Sequence, residues 1–194
     1  MSLGWRYKPK FMQKTIYYLP GRGGRLDAGL GQHLLERGYD VTGRAMVDEF
    51  NRLSFAEQVD TVAQDISTHF WDANARIIAN SFGAYLFLYA QIQLAPFPGK
   101  VLLLSPIVGE SSNEATATTF IPPRAAQLFK LANSGRYSAP LNCQMHVGSE
   151  DWQCNPENVQ SLAELIQVKA FVVEGAGHIL PKSYVGPLLD KWLA

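Results

Sequence analysis

Three polar residues with catalytic potential follow runs of sequence that are typical of buried strands. Ser81 comes directly after one such run, Asp151 follows the run that ends at Val147, and His178 follows the run that ends at Val173. A serine hydroxyl is a poor nucleophile at its own pKa, so it needs an imidazole to accept its proton and a carboxylate to hold that imidazole in the reactive tautomer. The three residue types therefore predict nucleophilic attack on an acyl carbonyl.

The sequence around Ser81 predicts a strand that turns sharply into a helix. Residues 77–78 are both isoleucine and suit an extended, buried strand, while residues 82–90 form an apolar run long enough for a core helix. Ala79 and Gly83 flank the serine at two residues on either side, and a strained corner requires such small residues. A serine here can also be simply a helix N-cap, and the corner alone leaves that alternative open.

The acid and the histidine lie in short loops. Asp151 is the predicted acid, but Glu150 is adjacent to it and Glu174 lies at the end of the last predicted strand, so both remain alternatives. Two glycines within the three residues before His178 suit a tightly shaped loop around a functional imidazole. A polar loop histidine without a role is the alternative for His178.

Residues 20–24, Pro-Gly-Arg-Gly-Gly, follow the first predicted strand and form a loop that exposes its backbone amides. A glycine loop ahead of a helix can also bind phosphate at the helix N-terminus. This one lacks the Lys-Ser/Thr ending of a P-loop, and its glycines do not have the dinucleotide-binding spacing. Phosphate or nucleotide binding is therefore the less favoured interpretation of the loop.

Alternating strands and helices are predicted to position these loops. The strands are expected near residues 15, 40, 77, 101, 142 and 169. The helices are expected to begin near Leu26, with Asp27 in the first turn, and near Ser54, Phe82, Pro122 and Asn155; residues 187–193 are the expected core of the last helix. Such a series predicts the α/β class, as a three-layer αβα sandwich with a mainly parallel sheet of roughly six strands. Functional groups in such sheets gather in the loops at the carboxyl ends of the strands.

With these motifs, residues 14–194 resemble the α/β-hydrolase superfamily of serine hydrolases, and its compact members in particular. The resemblance rests on residues 79–83 as the nucleophile elbow, 148–151 as the acid loop, 177–178 as the histidine loop and 20–24 as the oxyanion loop. Serine, acid and histidine also occur in the chain order of that fold. The sequence departs from the usual pattern where Ala79 replaces a glycine and where Pro20 replaces a histidine-glycine pair.

The resemblance implies a role for each site residue. Ser81 would attack the acyl carbonyl, His178 would act first as base and then as acid, and Asp151 would orient His178. The backbone amides of Phe82 and of Arg22 or Gly21 would form the oxyanion hole. Neither a metal nor an organic cofactor is expected.

Composition limits the classes of partner. The 194 residues are 47% hydrophobic and 18% charged, and we expect a single domain over residues 1–194. Seventeen basic and seventeen acidic residues cancel, which disfavours nucleic acid or an anionic membrane as a partner. A small acyl substrate is therefore expected to be recognised by its shape. The oligomeric state is left open.

Location and redox state follow from simple patterns. No run approaches the roughly 18 apolar residues of a membrane span, and Arg6, Lys8 and Lys10 are not followed by the apolar segment of a signal peptide. A cytoplasmic location is expected. Cys143 and Cys154 are expected to be reduced thiols, with Cys154 interpreted as a loop thiol without function.

Residues 107–140 are predicted to be a short cap-like excursion over the sheet, because they are too few to form a core of their own. Phe120, Ile121 and Trp152 are the predicted lining of the substrate pocket. The favoured function is a carboxylesterase or thioesterase that acts on a small ester or thioester through an acyl-enzyme. The alternatives are a catalytically silent binding protein with the same fold and, less favoured, a phosphate-binding protein.

Overall fold

The computed structural model describes residues 14–194. Arg6, Lys8 and Lys10, on which the expectation about a signal peptide rests, lie outside the described residues. No helix within residues 14–194 has the length and apolar character needed to cross a membrane.

The strands are β1 (Thr15–Leu19), β2 (Asp40–Gly43), β3 (Arg76–Asn80), β4 (Lys100–Leu104), β5 (Ser111–Asn113), β6 (Thr118–Phe120), β7 (Asn142–Gly148) and β8 (Lys169–Val173). The α-helices are α1 (Leu30–Glu36), α2 (Asp48–Arg52), α3 (Phe55–His69), α4 (Phe82–Gln91), α5 (Gln127–Asn133), α6 (Pro156–Leu165) and α7 (Lys182–Leu193).

Six strands form one sheet in the order β2-β1-β3-β4-β7-β8, and every neighbouring pair is parallel. The predicted strands near residues 15, 40, 77, 101, 142 and 169 are confirmed, and the predicted fold class with them. Because the strands are parallel, the loops after β1, β3, β7 and β8 open at one edge of the sheet. The strand order reverses between β1 and β3, which is where such sheets form a crevice for ligands.

Helices cover both faces of the sheet and complete the three layers. Tyr17 and Leu19 of β1 belong to one core, whereas Ile16 and Tyr18 belong to the other, as the alternation of a strand requires. The larger core packs the sheet against α3, α4, α5 and α6, and the smaller core packs it against α1 and α7. All ten residues of α4 are buried.

Of the two helices on the smaller core, α1 begins later than predicted, whereas the predicted core of α7 is confirmed. Helix α1 does not begin at Leu26, because Gly29 has a φ of 55° and breaks helical geometry just before the helix. Asp27 therefore lies ahead of the helix and not in its first turn. Helix α7 spans Lys182–Leu193 and contains the predicted core 187–193, with Pro187 inside the helix. Burial of the following turns stabilises α7 despite the hydrogen bond that proline cannot donate.

The segment 107–140 contains a structure that the sequence did not predict. Strands β5 and β6 pair as an antiparallel hairpin. The hairpin lies mostly within residues 109–119, which are small and polar, and it ends at Phe120. Each strand has only three residues, so the pairing is made by the backbone and leaves no clear side-chain pattern. Helix α5 begins later than the predicted Pro122, since Arg124 has a φ of 60° that interrupts a helix there.

Candidate active site

Ser81 lies at the corner between β3 and α4. Its φ of 53° and ψ of −116° fall in a region that residues other than glycine rarely adopt. Its backbone N–H donates to the carbonyl of Leu104 at 2.9 Å, which fixes the corner against the neighbouring strand. Gly83 lies so close to β1 that a Cβ there would be 2.2 Å from the carbonyl oxygen of Leu19. The structure thus contains the strained corner that the sequence predicts, and Gly83 is required by its close packing.

The Ser81 side chain is directed at a histidine. Ser81 is the N-cap residue of α4, yet its hydroxyl makes no capping hydrogen bond. Its Oγ lies instead 2.9 Å from Nε2 of His178, a normal hydrogen-bond distance. The N-cap alternative therefore does not account for the position of this hydroxyl, which is bonded to the imidazole of His178.

Asp151 contacts the other nitrogen of the histidine ring. Nδ1 of His178 lies 2.9 Å from Oδ2 and 3.1 Å from Oδ1 of Asp151. The backbone N–H groups of Gln153 and Cys154 both donate to Asp151 Oδ1 at 3.0 Å, so the carboxylate is held in one orientation. Asp151 is 1% exposed. The alternative Glu150 is exposed to solvent, and the carboxylate bonded to Nδ1 of His178 is that of Asp151.

The loops that carry the acid and the histidine are packed directly on each other. A Cβ at Gly148 would lie 2.1 Å from the carbonyl oxygen of Ala176, so only glycine allows this approach. The N–H of Glu150 donates to that same carbonyl at 2.9 Å, and the N–H of Gly175 donates to Ser149 Oγ at 2.9 Å. These contacts hold the two loops together over a sequence separation of more than twenty residues.

Ser105 and Cys154 also hold the histidine loop, and the sequence did not reveal this. Ser105 Oγ donates to the carbonyl of His178 at 2.8 Å, and the thiol of Cys154 donates to the carbonyl of Ser105 at 2.8 Å. The sulfur lies 3.6 Å from His178 Nδ1. Burial raises the pKa of the Cys154 thiol and the neighbouring Asp151 raises it further, so the thiol stays protonated and can donate.

Cys154 is therefore a buried residue with specific contacts and not a loop thiol without them; it is 1% exposed. Its partner Ser105 could have been found from the sequence, because Ser105 lies at the carboxyl end of the strand predicted near residue 101. Nothing in the sequence alone indicates that Cys154 reaches that strand end.

The backbone amide of Phe82 lies next to Ser81, at the start of α4. Phe82 is the first residue of α4, so its N–H has no acceptor within the helix. Gly21 lies across from it, since a Cβ at Gly21 would be 3.7 Å from Ser81 Oγ. The guanidinium of Arg22 lies 4.1 Å from the centre of the Phe82 ring and holds the loop against the start of α4.

The other amides of the glycine loop have partners. The N–H of Gly23 donates to the carbonyl of Met46 at 3.1 Å, and the N–H of Gly24 donates to the carbonyl of Gly21 at 2.9 Å. Within the part of the chain that the structure describes, the amides of Gly21 and Arg22 make no such bond. These two are the loop amides that remain available to a ligand.

A cavity of about 640 Å³ opens beside Ser81 and His178, and Gly21, Asn80 and His178 line it at this end. It extends along the loop between β1 and α1 and along the first turns of α7. Its apolar surface comes from side chains of the smaller core and its neighbours, including Tyr18, Leu30, Leu104, Leu180, Val185 and Leu189. The volume is in the range of roughly 300 to 1,000 Å³ that is usual for small-molecule sites.

The structure places the predicted pocket residues away from this cavity. Phe120 packs against the larger core, on the other face of the sheet. Ile121 is 64% exposed, and Trp152 is half-buried beside Asp151. None of the three lines the cavity. For Phe120 and Ile121 the physical reason is that residues 107–140 are attached to the α4 side of the sheet, where the Tyr85 hydroxyl donates to the carbonyl of Pro123 at 2.7 Å.

Asp151, Cys154 and His178 also form a group whose ligand atoms lie within 4.8 Å of one another, close enough for a metal ion. Their contacts to one another do not favour a metal centre. His178 Nδ1 already faces the Asp151 carboxylate, and the raised pKa of the Cys154 thiol disfavours the thiolate that a metal would bind. The remaining imidazole nitrogen, Nε2, faces Ser81.

Solved structures are similar to this chain over nearly its whole length, although no family model and no curated protein matches it. The ydeN gene product from B. subtilis is 15% identical, with a TM-score of 0.62 over 92% of this chain and 98% of that chain. A lipase-esterase related protein from Clostridium acetobutylicum ATCC 824 is 12% identical, with a TM-score of 0.66 over 93% and 94%. A carboxylesterase structure from Nitrososphaera gargenis is 15% identical, with a TM-score of 0.59 over 91% and 89%.

These likenesses and the sheet topology together show that the chain has the α/β-hydrolase fold. The resemblance seen in the sequence motifs is confirmed at the level of the fold. At identities of 12% to 15% the likeness does not by itself transfer an activity, which has to be argued from the site.

Proposed function

We propose that this protein is a serine hydrolase that cleaves a small ester or thioester through an acyl-enzyme intermediate. The observation that carries the proposal is the hydrogen-bonded chain from Ser81 Oγ to His178 Nε2 and from His178 Nδ1 to Asp151 Oδ2, both at 2.9 Å. The similar structures include a carboxylesterase and a lipase-esterase related protein, and this likeness supports an ester as the target.

The proposed reaction has two halves. Ser81 Oγ attacks the acyl carbonyl while Nε2 of His178 takes the hydroxyl proton, and His178 then gives that proton to the departing oxygen or sulfur. Water next attacks the acyl-enzyme with His178 again as base, and collapse of the second tetrahedral intermediate releases the acid and restores Ser81. Asp151 keeps the proton of His178 on Nδ1, so that Nε2 is free to accept.

The negative charge that develops on the carbonyl oxygen during attack needs hydrogen-bond donors close to that oxygen. The amide of Phe82 and that of Arg22 or Gly21 are the proposed pair, because both loops border Ser81 and these amides are available. One such donor contributes on the order of 3 to 4 kcal/mol of transition-state stabilisation in serine enzymes. No step of this scheme requires a metal or an organic cofactor.

A fluorophosphonate probe tests the proposal directly, because it phosphonylates a serine only when that serine is activated. We expect stoichiometric labelling at Ser81, none in Ser81→Ala, and strongly slowed labelling in His178→Ala. Peptide mass spectrometry identifies the modified residue. A folded wild-type protein that remains unlabelled would contradict the proposal and favour the silent binding protein as the alternative.

The acid is tested by a matched pair of amide substitutions. Asp151→Asn keeps the shape of the side chain but removes the charge that fixes the tautomer of His178, so turnover of p-nitrophenyl acetate should fall by roughly 10³- to 10⁴-fold. Glu150→Gln changes the adjacent exposed carboxylate and should leave turnover within about twofold, since surface substitutions are usually neutral. The reverse result would transfer the acid role to Glu150.

A further inference from the structure

We infer that the substrate of this proposed hydrolase carries an anionic group, a carboxylate or a phosphate, that binds the cationic wall of the cavity beside the triad. The inference rests on the proposed function and adds a substrate class to it. Arg22, Arg25, Arg37, Lys182 and His33 all line this cavity. Among residues 14–194, no aspartate or glutamate lines it, although Asp27 lies nearby in the same loop.

Two of these side chains already have counter-ions. Nε of Arg37 donates to Asp190 at 2.9 Å, and Nδ1 of His33 lies 3.2 Å from Glu36. They consequently contribute little net positive charge to the cavity.

The other three have no anionic partner within the described chain. Arg22 contacts the ring of Phe82, whereas Arg25 and Lys182 make no ion pair or side-chain hydrogen bond. Residues 1–13 contain neither aspartate nor glutamate. Because the whole chain has seventeen basic and seventeen acidic residues, this surplus is a local feature and not the result of a basic protein. A cleft lined by one sign of charge concentrates ligands of the opposite sign.

The lining of the cavity also indicates which chemical group of the substrate lies between the anionic group and the reacting carbonyl. Gly21 and His178 border it at the triad, and Arg22 belongs to the same loop as Gly21. Its apolar surface, which includes Leu30 and Val185, suits a short methylene chain. The expected substrate therefore has an ester or thioester at one end, a few methylenes, and an oxyanion that a guanidinium or ammonium group can bind.

Solvent exposure limits the size of the effect. Arg22, Arg25 and Lys182 are all exposed, so each should contribute roughly two- to fivefold to kcat/KM for an anionic substrate. Screening should reduce that contribution further as the salt concentration rises, because the Debye length falls to about 3 Å at 1 M.

Two esters of equal shape test the charge. We compare 4-nitrophenyl hydrogen glutarate with 4-nitrophenyl 5-methylhexanoate, in which two methyl groups replace the carboxylate oxygens. Each rate is divided by the rate of alkaline hydrolysis of the same ester. At 20 mM NaCl the wild type should prefer the anionic ester by about tenfold in kcat/KM, and 0.5 M NaCl should remove most of that preference.

The double variant Arg25→Gln/Lys182→Gln should lower the preference by about four- to tenfold. The matched control is Lys130→Gln/Arg136→Gln, which removes two exposed cations that do not line the cavity and should keep the wild-type preference. If the wild type hydrolyses both esters without preferring the anionic one, or if both double variants behave alike, the inference is wrong while the proposed hydrolase activity stands.

Calorimetry on Ser81→Ala protein separates binding from turnover. Glutarate or inorganic phosphate should bind, and the cavity double variant in the Ser81→Ala background should weaken that binding at least fourfold. The tighter of the two ligands identifies the anion as carboxylate or phosphate. If neither binds, the inference is overturned. Failure to hydrolyse any ester with intact binding would instead contradict the proposed function.

Discussion

The two faces of the sheet are packed in opposite ways. On the packed face, formed by α3 to α6, the core is continuous and the rings of Phe55, Tyr85 and Tyr89 lie in contact, with centroids 5.5 and 5.1 Å from Phe55. On the open face, formed by α1 and α7, the core is smaller and a cavity of about 640 Å³ borders it. Both faces meet at the sheet edge that carries Ser81 and His178.

The packed face holds the backbone of Ser81 rigid, and the open face provides space beside it. The backbone of Ser81 is in a conformation that costs on the order of 1 to 3 kcal/mol and persists only where its surroundings are rigid. The fully buried helix α4 on the packed face supplies that rigidity. The open face leaves a cavity next to Ser81 and His178, which the proposed hydrolase needs for its substrate. Rigidity and access are thus obtained on opposite sides of one sheet.

A matched pair of leucine substitutions tests the packing difference. Leu86 of α4 and Leu189 of α7 are 0% and 1% exposed, but only Leu189 lines the cavity. Leu86→Ala should cost about 4 kcal/mol of unfolding free energy, because close-packed neighbours lose their contacts. Leu189→Ala should cost about 2 kcal/mol, because part of its surface already faces empty space. Denaturant unfolding measures both, and equal costs would show that the open face is as tightly packed as the other.

The sheet itself could be predicted from the sequence because its signals are local. Strands β3 and β4 are continuous apolar runs, as strands buried on both faces must be, and the small residues around Ser81 indicate the corner. The first residue of α1 was harder to predict from the sequence, because the conformation of Gly29 determines it and a glycine permits many conformations. Local pattern thus predicts elements better than their first residues.

The surroundings of the triad could not be predicted, because they depend on distant segments meeting. Cys154 reaches the end of β4 only in the folded chain, and its contact with Ser105 spans 49 residues in sequence. The cavity joins residues 20–30 with 179–189. A net charge of zero supported recognition by shape, but a sum of charges cannot show that three unpaired cations lie together.

A histidine should make the open face sensitive to pH. His146 is the only fully buried histidine within residues 14–194; its Nδ1 lies 2.7 Å from the hydroxyl of Tyr184 in α7, and its ring stacks on Phe171. Burial lowers the pKa of His146 to about 4. Its folded pKa lies below the unfolded value of about 6.5, so the stability it provides is complete above pH 6.5 and is lost as the pH falls toward 4.

The loss over that interval should be on the order of 3 kcal/mol, measured as unfolding free energy from pH 7 to pH 4. His146→Gln removes the titrating group and should flatten the curve over this range. His69→Gln, an exposed histidine at the end of α3 on the packed face, should keep the wild-type slope. If His146→Gln keeps the full slope as well, the pH dependence does not come from the open face.

The smallest effect should come from Cys154, which connects the two faces at the site. Cys154 belongs to the core of the packed face, and through Ser105 it supports the carbonyl of His178, whose loop continues into the open face. Cys154→Ala removes the thiol donor, so His178 should be less well positioned and kcat should fall about tenfold, or about 1.4 kcal/mol, with KM little changed. A positioning role predicts that Cys154→Ser, which keeps a donor, restores most of kcat. The control is Cys143→Ala, which removes a buried thiol and should lower stability but not kcat. An equal loss of kcat in both alanine variants would show that Cys154 acts only through packing.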